Sequence, residues 1–322
     1  MIAHKIMIIS GIFMCILGLI GNILNICIFT IWSRSKKSSH RHTHSNNRSV
    51  NSPLYLFASS IANLIIILYP LLTRIMFDGY QYKITQTNVF ILCKLRYYFL
   101  HTFYLISLTC ICMATFDRYL ISSRDVHLRE LSPTRHRTII IILIICTLIG
   151  LHNIPLIIFF NLSNNGQCII YSITYSYYYL YVFRILLQGI IPIIFLSLFG
   201  ILTFRQLKIL AQHSACNHIN SDRQLARMLL LISITIIIST IPNCIEQIYD
   251  IIMNHTNSKP SSKFFLYHVI SSILFYTNPV TSFYIFYIST PNFRTQLRNL
   301  ITYKKHHDYL INHQIHSTNY NK

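Results

Sequence analysis

The sequence predicts an all-α membrane protein, a seven-transmembrane helix bundle with a short amphipathic eighth helix. Three observations carry that prediction. Of 322 residues, 53% are hydrophobic and only 11% charged, whereas a soluble protein carries about 25% Asp, Glu, Lys and Arg. Seven charge-free stretches reach the roughly 18 to 20 residues with which a helix crosses about 30 Å of hydrocarbon. The basic residues gather in the short gaps between them.

In chain order the spans are Ile6 to Trp32, Leu54 to Thr73, Tyr97 to Phe116, Ile139 to Phe160, Ile185 to Phe204, Met228 to Ile245 and Phe264 to Ile288. The first is too long, and too poor in a small-residue cleavage site, for a removable signal peptide, so it reads as a span that also targets the chain. Residues 1–5 form a very short outer N-terminus, either natural or the mark of a truncated start. Residues 6–288 make up the bundle. Beyond it, Pro291 suits a first helical turn, and Phe293, Leu297, Leu300 and Ile301 recur at helical spacing. That pattern predicts a membrane-surface helix over 289–302 and leaves 303–322 as a cytoplasmic tail.

Charge orients the bundle, because cytoplasmic loops are enriched in Lys and Arg. Of the 27 basic residues, 19 lie on the side of the loops after spans one, three and five and of the tail. The N-terminus is therefore expected outside and the C-terminus inside a plasma membrane. A net charge of +19 in a soluble protein would suggest nucleic acid. Here no zinc-finger spacing, RNP-like segment or basic helix with interleaved aromatics occurs, and the expected surroundings are the lipid bilayer, with no nucleic acid. The stretch Ser33 to Asn51 reads as a mobile inner loop, and its His40, His42 and His44 fit a solvated linker better than a metal site.

Chemistry is sparse. Eight acidic residues, no HExxH, no Gly-rich phosphate loop and no GxSxG leave nothing to assemble a nucleophile or a metal centre, so neither an enzyme nor a cofactor is expected. Nine cysteines without a CxxC pair allow one or two bridges. The intramembrane charges or broken repeats of channels and transporters are not evident.

Polar groups inside lipid-embedded helices need a reason of their own. At the inner end of span three, Asp117, Arg118 and Tyr119 set a carboxylate beside a guanidinium that it can hold and then release when the helix ends part. A snorkelling interfacial Arg is the plain alternative. Further marks are Gly21-Asn22 in span one, Cys93 twenty-five positions before Arg118, Cys168 in the second outer loop, Pro192 in span five, Pro242 in span six and Asn278-Pro279 in span seven. Together these residues resemble the rhodopsin-like family of G-protein-coupled receptors, from the first span through the eighth helix. The resemblance implies a disulfide between Cys93 and Cys168, which agrees with both lying on the oxidising side. It also implies that Asp117, Arg118, Tyr119, Asn278 and Pro279 serve activation and coupling, and that Asn22, Asn63 and Ser107 form a polar core. Pro192, Pro242 and Pro279 each remove a helical hydrogen bond and are candidate hinges, although a lone Pro in a membrane helix is often a tolerated bend.

Several positions depart from the family pattern. Asn63 stands where a sodium-binding Asp is usual, which predicts weak or absent sodium modulation. Span four lacks its Trp, Thr240 replaces the aromatic switch two positions before Pro242, and Gly200 stands where span five often has a Tyr. Ser282 replaces the Tyr that usually follows Asn278-Pro279, although Phe283 and Tyr284 come next. Leu100 takes the place of the amine-binding Asp and Ser272 that of the retinal-binding Lys, so neither biogenic amines nor retinal fit. No Cys follows Cys244 to carry the common tail palmitoyl group. Activation must use a modified relay, or the protein signals poorly.

The ligand-binding candidates are His101, Arg184, Asn243, Glu246, Gln247 and Asp250. Glu246 and Asp250 lie four residues apart on one helix face, where they either receive an Arg or an amidated basic terminus of a peptide, or solvate a helix end. Arg184 is placed to meet a ligand carboxylate or Glu246. Tyr171, Tyr175, Tyr177, Tyr178, Tyr179 and Tyr181 crowd the approach to span five, as an interfacial belt or as a rigid wall for a peptide. Asn161 and Asn254 head outer-loop glycosylation sequons. The expected function is that of a receptor for an extracellular ligand, first of all a short neuropeptide, which activates an intracellular heterotrimeric G protein. The alternatives are a chemosensory receptor for a small molecule and a non-signalling receptor-like protein.

Overall fold

The computed structural model describes residues 2–39, 51–82, 85, 87–123, 125–162, 168–213, 217–255, 262–300 and 302. Seven helical spans long and apolar enough to cross a membrane run Ile2–Trp32, Ser52–Gly79, Phe90–Ser122, Arg135–Phe159, Ile173–Leu207, Arg227–Glu246 and Phe265–Ser289. Residues 291–300 form a further helix, whose Phe293 is buried among Phe29, Phe283 and Phe286. A short antiparallel hairpin of β1 (Phe160–Leu162) and β2 (Cys168–Ile170) joins spans four and five, with Leu162 opposite Cys168. His40, His42, His44 and the tail 303–322 lie outside the described residues.

Six of the seven spans begin earlier than counting uncharged residues predicts, and in spans three and five the extension takes in a buried Arg. Span three starts at Phe90 and takes in Arg96, which is 4% exposed, with its guanidinium 5.2 Å from the Phe77 ring centroid and 5.3 Å from that of Tyr97. Span five starts at Ile173 and takes in the buried Arg184. A planar, weakly hydrated guanidinium is accepted by aromatic faces and amides, so neither residue ends its helix. Span one is helical from Ile2, so residues 2–5 belong to its first turn.

Span three is the axis of the bundle. Leu100, Tyr104, Ser107, Leu108, Ile111, Ala114 and Thr115 share one helical stripe and are all buried. Span two packs along that stripe, span one covers spans two and seven, and span six lies between five and seven. Span four is peripheral: within Arg135–His152 only Thr138 is buried, and Leu143 and Leu148 are 61% and 62% exposed. Lipid tails are as apolar as leucine, so close packing and hydrogen bonds, not hydrophobic burial, hold such helices together.

Close approach is clearest at Gly21, where an added Cβ would stand 3.0 Å from Phe283 Cβ. That atom is fixed to its backbone and cannot swing aside, so spans one and seven meet here because residue 21 has no side chain. Elsewhere the helices are locally widened. Wide π-type turns occupy Ile67–Leu71 around Pro70, Ile75–Gly79, Phe90–Leu95 and Tyr178–Ile190. Such turns alter which residues face inward and recur at functional sites; the last of them carries both Arg184 and Gln188 on its buried side.

Candidate functional site

Polar side chains are buried in three layers along the bundle. The first lies at the C-terminal end of span three, where Asp117 and Arg118 are both buried. Ser52, in the first turn of span two, stands between them: its hydroxyl donates to Asp117 Oδ2 at 2.8 Å and accepts from Arg118 Nε at 3.0 Å. Ser132, beyond the end of span three, donates to Asp117 Oδ1 at 3.0 Å. The carboxylate thus ties span two and the following loop to span three, through charge-assisted bonds of the stronger kind. Tyr119 packs against Phe199 of span five, with ring centroids 5.2 Å apart.

The second layer is the middle of the bundle. Ser107 donates to Asn63 Oδ1 at 2.7 Å and lies 2.8 Å from the Ser59 hydroxyl. Asn22 donates from Nδ2 to the carbonyls of Gly18 and Pro279, each at 2.9 Å, so the carbonyl of the span-seven proline is tied to span one. Ser282, standing where a Tyr was expected, accepts from Asn25 Nδ2 at 3.3 Å. Tyr284 donates to the Leu17 carbonyl at 3.1 Å and so also turns toward span one. Asn278 is buried close by.

The third layer lies at the disulfide end, where Cys93 and Cys168 are joined and tie span three to β2. Arg184 donates from Nη1 to Gln188 Oε1 at 3.0 Å and from Nη2 to Asn243 Oδ1 at 2.8 Å. His101, 1% exposed, lies 2.6 Å from the Tyr179 hydroxyl through Nε2 and 3.3 Å from Gln188 Nε2 through Nδ1. Tyr104 reaches span six, where its hydroxyl lies 3.3 Å from that of Thr240 and its ring meets Phe275 with centroids 4.5 Å apart. Thr240, found in place of an aromatic switch, is therefore held by an aromatic from span three. A cavity of about 10 Å³, the space of one water-sized group, opens among Tyr104, Arg184, Thr240, Asn243 and Phe275.

Beside this layer is an ionic cluster that sequence patterning did not bring together. Arg74 pairs with Asp78 in span two, contacts His268 of span seven and donates to Ser272 at 2.7 Å. His268 in turn contacts Glu246 of span six. Glu246 is 1% exposed, so it is no open acceptor for a basic peptide. Arg184 binds Asn243, not Glu246. Asp78 belongs to the last turn of span two. Gln247, Asp250 and Asn254 occupy helical positions in Asn217–His255, but their side chains lie outside the described residues.

The tyrosines divide. Tyr171, Tyr177, Tyr178 and Tyr181 are exposed, as an interfacial belt requires. Tyr175 and Tyr179 are partly buried and stack on Phe159 and Phe183, at 4.4 Å and 5.8 Å between centroids. Asn161 is exposed on β1. Pro192 stands two residues beyond the wide Tyr178–Ile190 segment, after Ile191, and the Pro242 carbonyl accepts from Tyr267 at 3.0 Å.

Ser52, Ser59, Ser132, Tyr104, Gln188 and His268 escaped the sequence reading. Serine and tyrosine are common in these spans, and only the register between helices singles out the ones that matter.

The chain matches the family 7 transmembrane receptor (rhodopsin family) over residues 21–282. No curated protein matches it. The family is one of multi-pass membrane receptors, in keeping with the seven spans. The matched region begins at Gly21 in span one and ends at Ser282 in span seven, so every span contributes to it, and the chain belongs to the rhodopsin family of seven-transmembrane receptors.

Proposed function

We propose that the protein is a plasma-membrane receptor, N-terminus outside and C-terminus inside, which binds a short peptide at the disulfide end and activates a heterotrimeric G protein at the Asp117 end. The observation that carries this reading is one helix with a buried polar network at each end. His101 and Tyr104 of span three join the network of Arg184, Asn243 and Thr240, while Asp117 and Arg118 of the same span join that of Ser52 and Ser132. A ligand that prefers one arrangement of the first network shifts the population of the second by its differential affinity. Peptide binding is supported by the inward aromatics Tyr175 and Tyr179 beside the polar groups, since rigid aromatic contacts are what peptide hot spots use.

The test is nucleotide exchange on G proteins in cells that express the chain, challenged with a pooled peptide library and compared with Arg118→Ala. A response lost in the mutant at equal surface expression is expected. Full coupling by Arg118→Ala removes the proposed mechanism. The small cavity beside Phe275 favours a second reading, a chemosensory receptor for a small molecule, which responses to small organic molecules and to no peptide would select. Surface expression with no exchange under any challenge would select the non-signalling alternative.

A further inference from the structure

Arg184 is only 8% exposed, yet among the described residues it forms no ion pair. Its two hydrogen-bond partners, Gln188 and Asn243, are neutral amides, and its third neighbour is the Phe275 ring, 5.7 Å from the guanidinium carbon to the centroid. A guanidinium carries five N–H donors in a planar fork suited to two oxygens at once. Burying such a charge without a counter-charge is strongly unfavourable. Glu246, three residues beyond Asn243, does not supply one, because His268 holds it on the side of spans two and seven.

The surroundings point the same way. Arg184 lines the cavity of about 10 Å³, room for one water-sized group such as a single carboxylate oxygen, and Tyr104 and Thr240, whose hydroxyls lie 3.3 Å apart, also line it. The half of the chain toward the disulfide contains eight Lys and Arg against three acidic residues, a balance that draws anions inward. A cationic ligand end would meet that field and this guanidinium unfavourably.

We propose that the Arg184 cavity binds a carboxylate of the ligand, either the free C-terminus of a peptide or the acid group of a small organic molecule. The carboxylate accepts from the guanidinium N–H groups not given to Gln188 and Asn243, and the Tyr104 and Thr240 hydroxyls turn toward it as neutral donors. It supplies the counter-charge that the bundle lacks. That the cavity is a ligand site rests on the receptor reading above; the sign of the ligand's charge rests on Arg184 itself.

The experiment uses the full chain purified in detergent and the midpoint of its thermal unfolding. Three probe pools are compared: N-acetylated tripeptide acids, the same tripeptides as C-terminal amides, and arylalkanoic acids. The expected result is a raised midpoint with one or both acid pools and none with the amides. Arg184→Gln should weaken the acid effect by at least about tenfold, the scale of a lost charge-assisted bond, and without any probe should melt no lower than the wild type. If Arg184→Gln does not fold, Arg184→Lys keeps the charge and must still prefer acids to amides. Stabilisation by amides equal to that by acids, no stabilisation by either acid pool, or an acid effect untouched by Arg184→Gln overturns the assignment. The tripeptide and arylalkanoic arms separate the two carboxylate sources. Acid binding without G-protein activation would sink the signalling reading and spare the site; activation by amides, independent of Arg184, would do the reverse.

Discussion

Ser52→Ala tests the junction of Asp117 and Arg118 most directly. Its hydroxyl makes two buried contacts at once, to Asp117 Oδ2 at 2.8 Å and from Arg118 Nε at 3.0 Å. Hydrogen bonds to charged groups contribute about 1.5–3 kcal/mol, while measured polar contacts between membrane helices reach only about 1.7 kcal/mol. A loss of about 1–2 kcal/mol from the arrangement in which span two holds Asp117 and Arg118 follows. If that arrangement is the inactive one, the active population rises by about 5- to 30-fold. The assay is ligand-independent nucleotide exchange on a G protein, with the receptor reconstituted in lipid nanodiscs at matched amounts. Ser52→Thr retains a hydroxyl and should keep basal exchange within about twofold of wild type. Basal exchange unchanged or lowered in Ser52→Ala, with Ser52→Thr identical to it, would refute the reasoning.

Cys93→Ser or Cys168→Ser opens a bridge that closes 75 residues of chain; on loop entropy alone the cost is about 4 kcal/mol, and surface expression measured by flow cytometry should fall sharply in both. Gly200→Ala should stabilise, because an added Cβ there meets nothing within 4 Å and an interior helical Gly costs roughly 0.5–1 kcal/mol against Ala; a thermal midpoint raised by about 1–3 °C is expected, and a lowered one counts against the packing described. Asn63 is a neutral amide already engaged by Ser107, so agonist affinity should be the same in sodium and in choline chloride. Asn63→Asp should make it sodium-sensitive, and a wild-type response to sodium would refute the assignment.

Much of this architecture was legible because lipid makes strict demands. A span must be long and uncharged, and that rule located all seven; it failed at their ends, where Arg96 and Arg184 enter the bundle on aromatic and amide partners that no local pattern reveals. Cys93, Cys168, Asn22 and Asp117 stood out through the family resemblance, and each makes a defined contact across the fold. Glu246 looked like an accessible carboxylate because periodicity gives the face of a helix but not what lies opposite. His268 and Arg74, in other spans, make it an internal group. Tyr104 and Thr240 show the same limit: an absent aromatic could be read from the sequence, but not the tyrosine that stands against its replacement from another helix.

The hydrogen bonds of span six are unevenly distributed along its length. Within Arg227–Glu246, among the described residues, those that reach other spans come from Thr240, Pro242, Asn243 and Glu246, all near one end, while beyond the other end Gln224 of the same helix accepts from the Asn292 backbone N–H at 3.3 Å. Ser233, Thr235 and Ser239 bond their own backbone, and Met228, Leu229, Ile232 and Ile236 make apolar contacts that lipid can replace at small cost. A rod clamped at one end and held at the other by the Gln224 hydrogen bond is a lever once that bond gives. Over the 20 residues of Arg227–Glu246 the arm is about 30 Å, so a tilt of about 10° at the clamp carries the far tip about 5 Å. A sub-ångström adjustment around Asn243 is thereby enlarged roughly tenfold in the half of the bundle that contains Arg118.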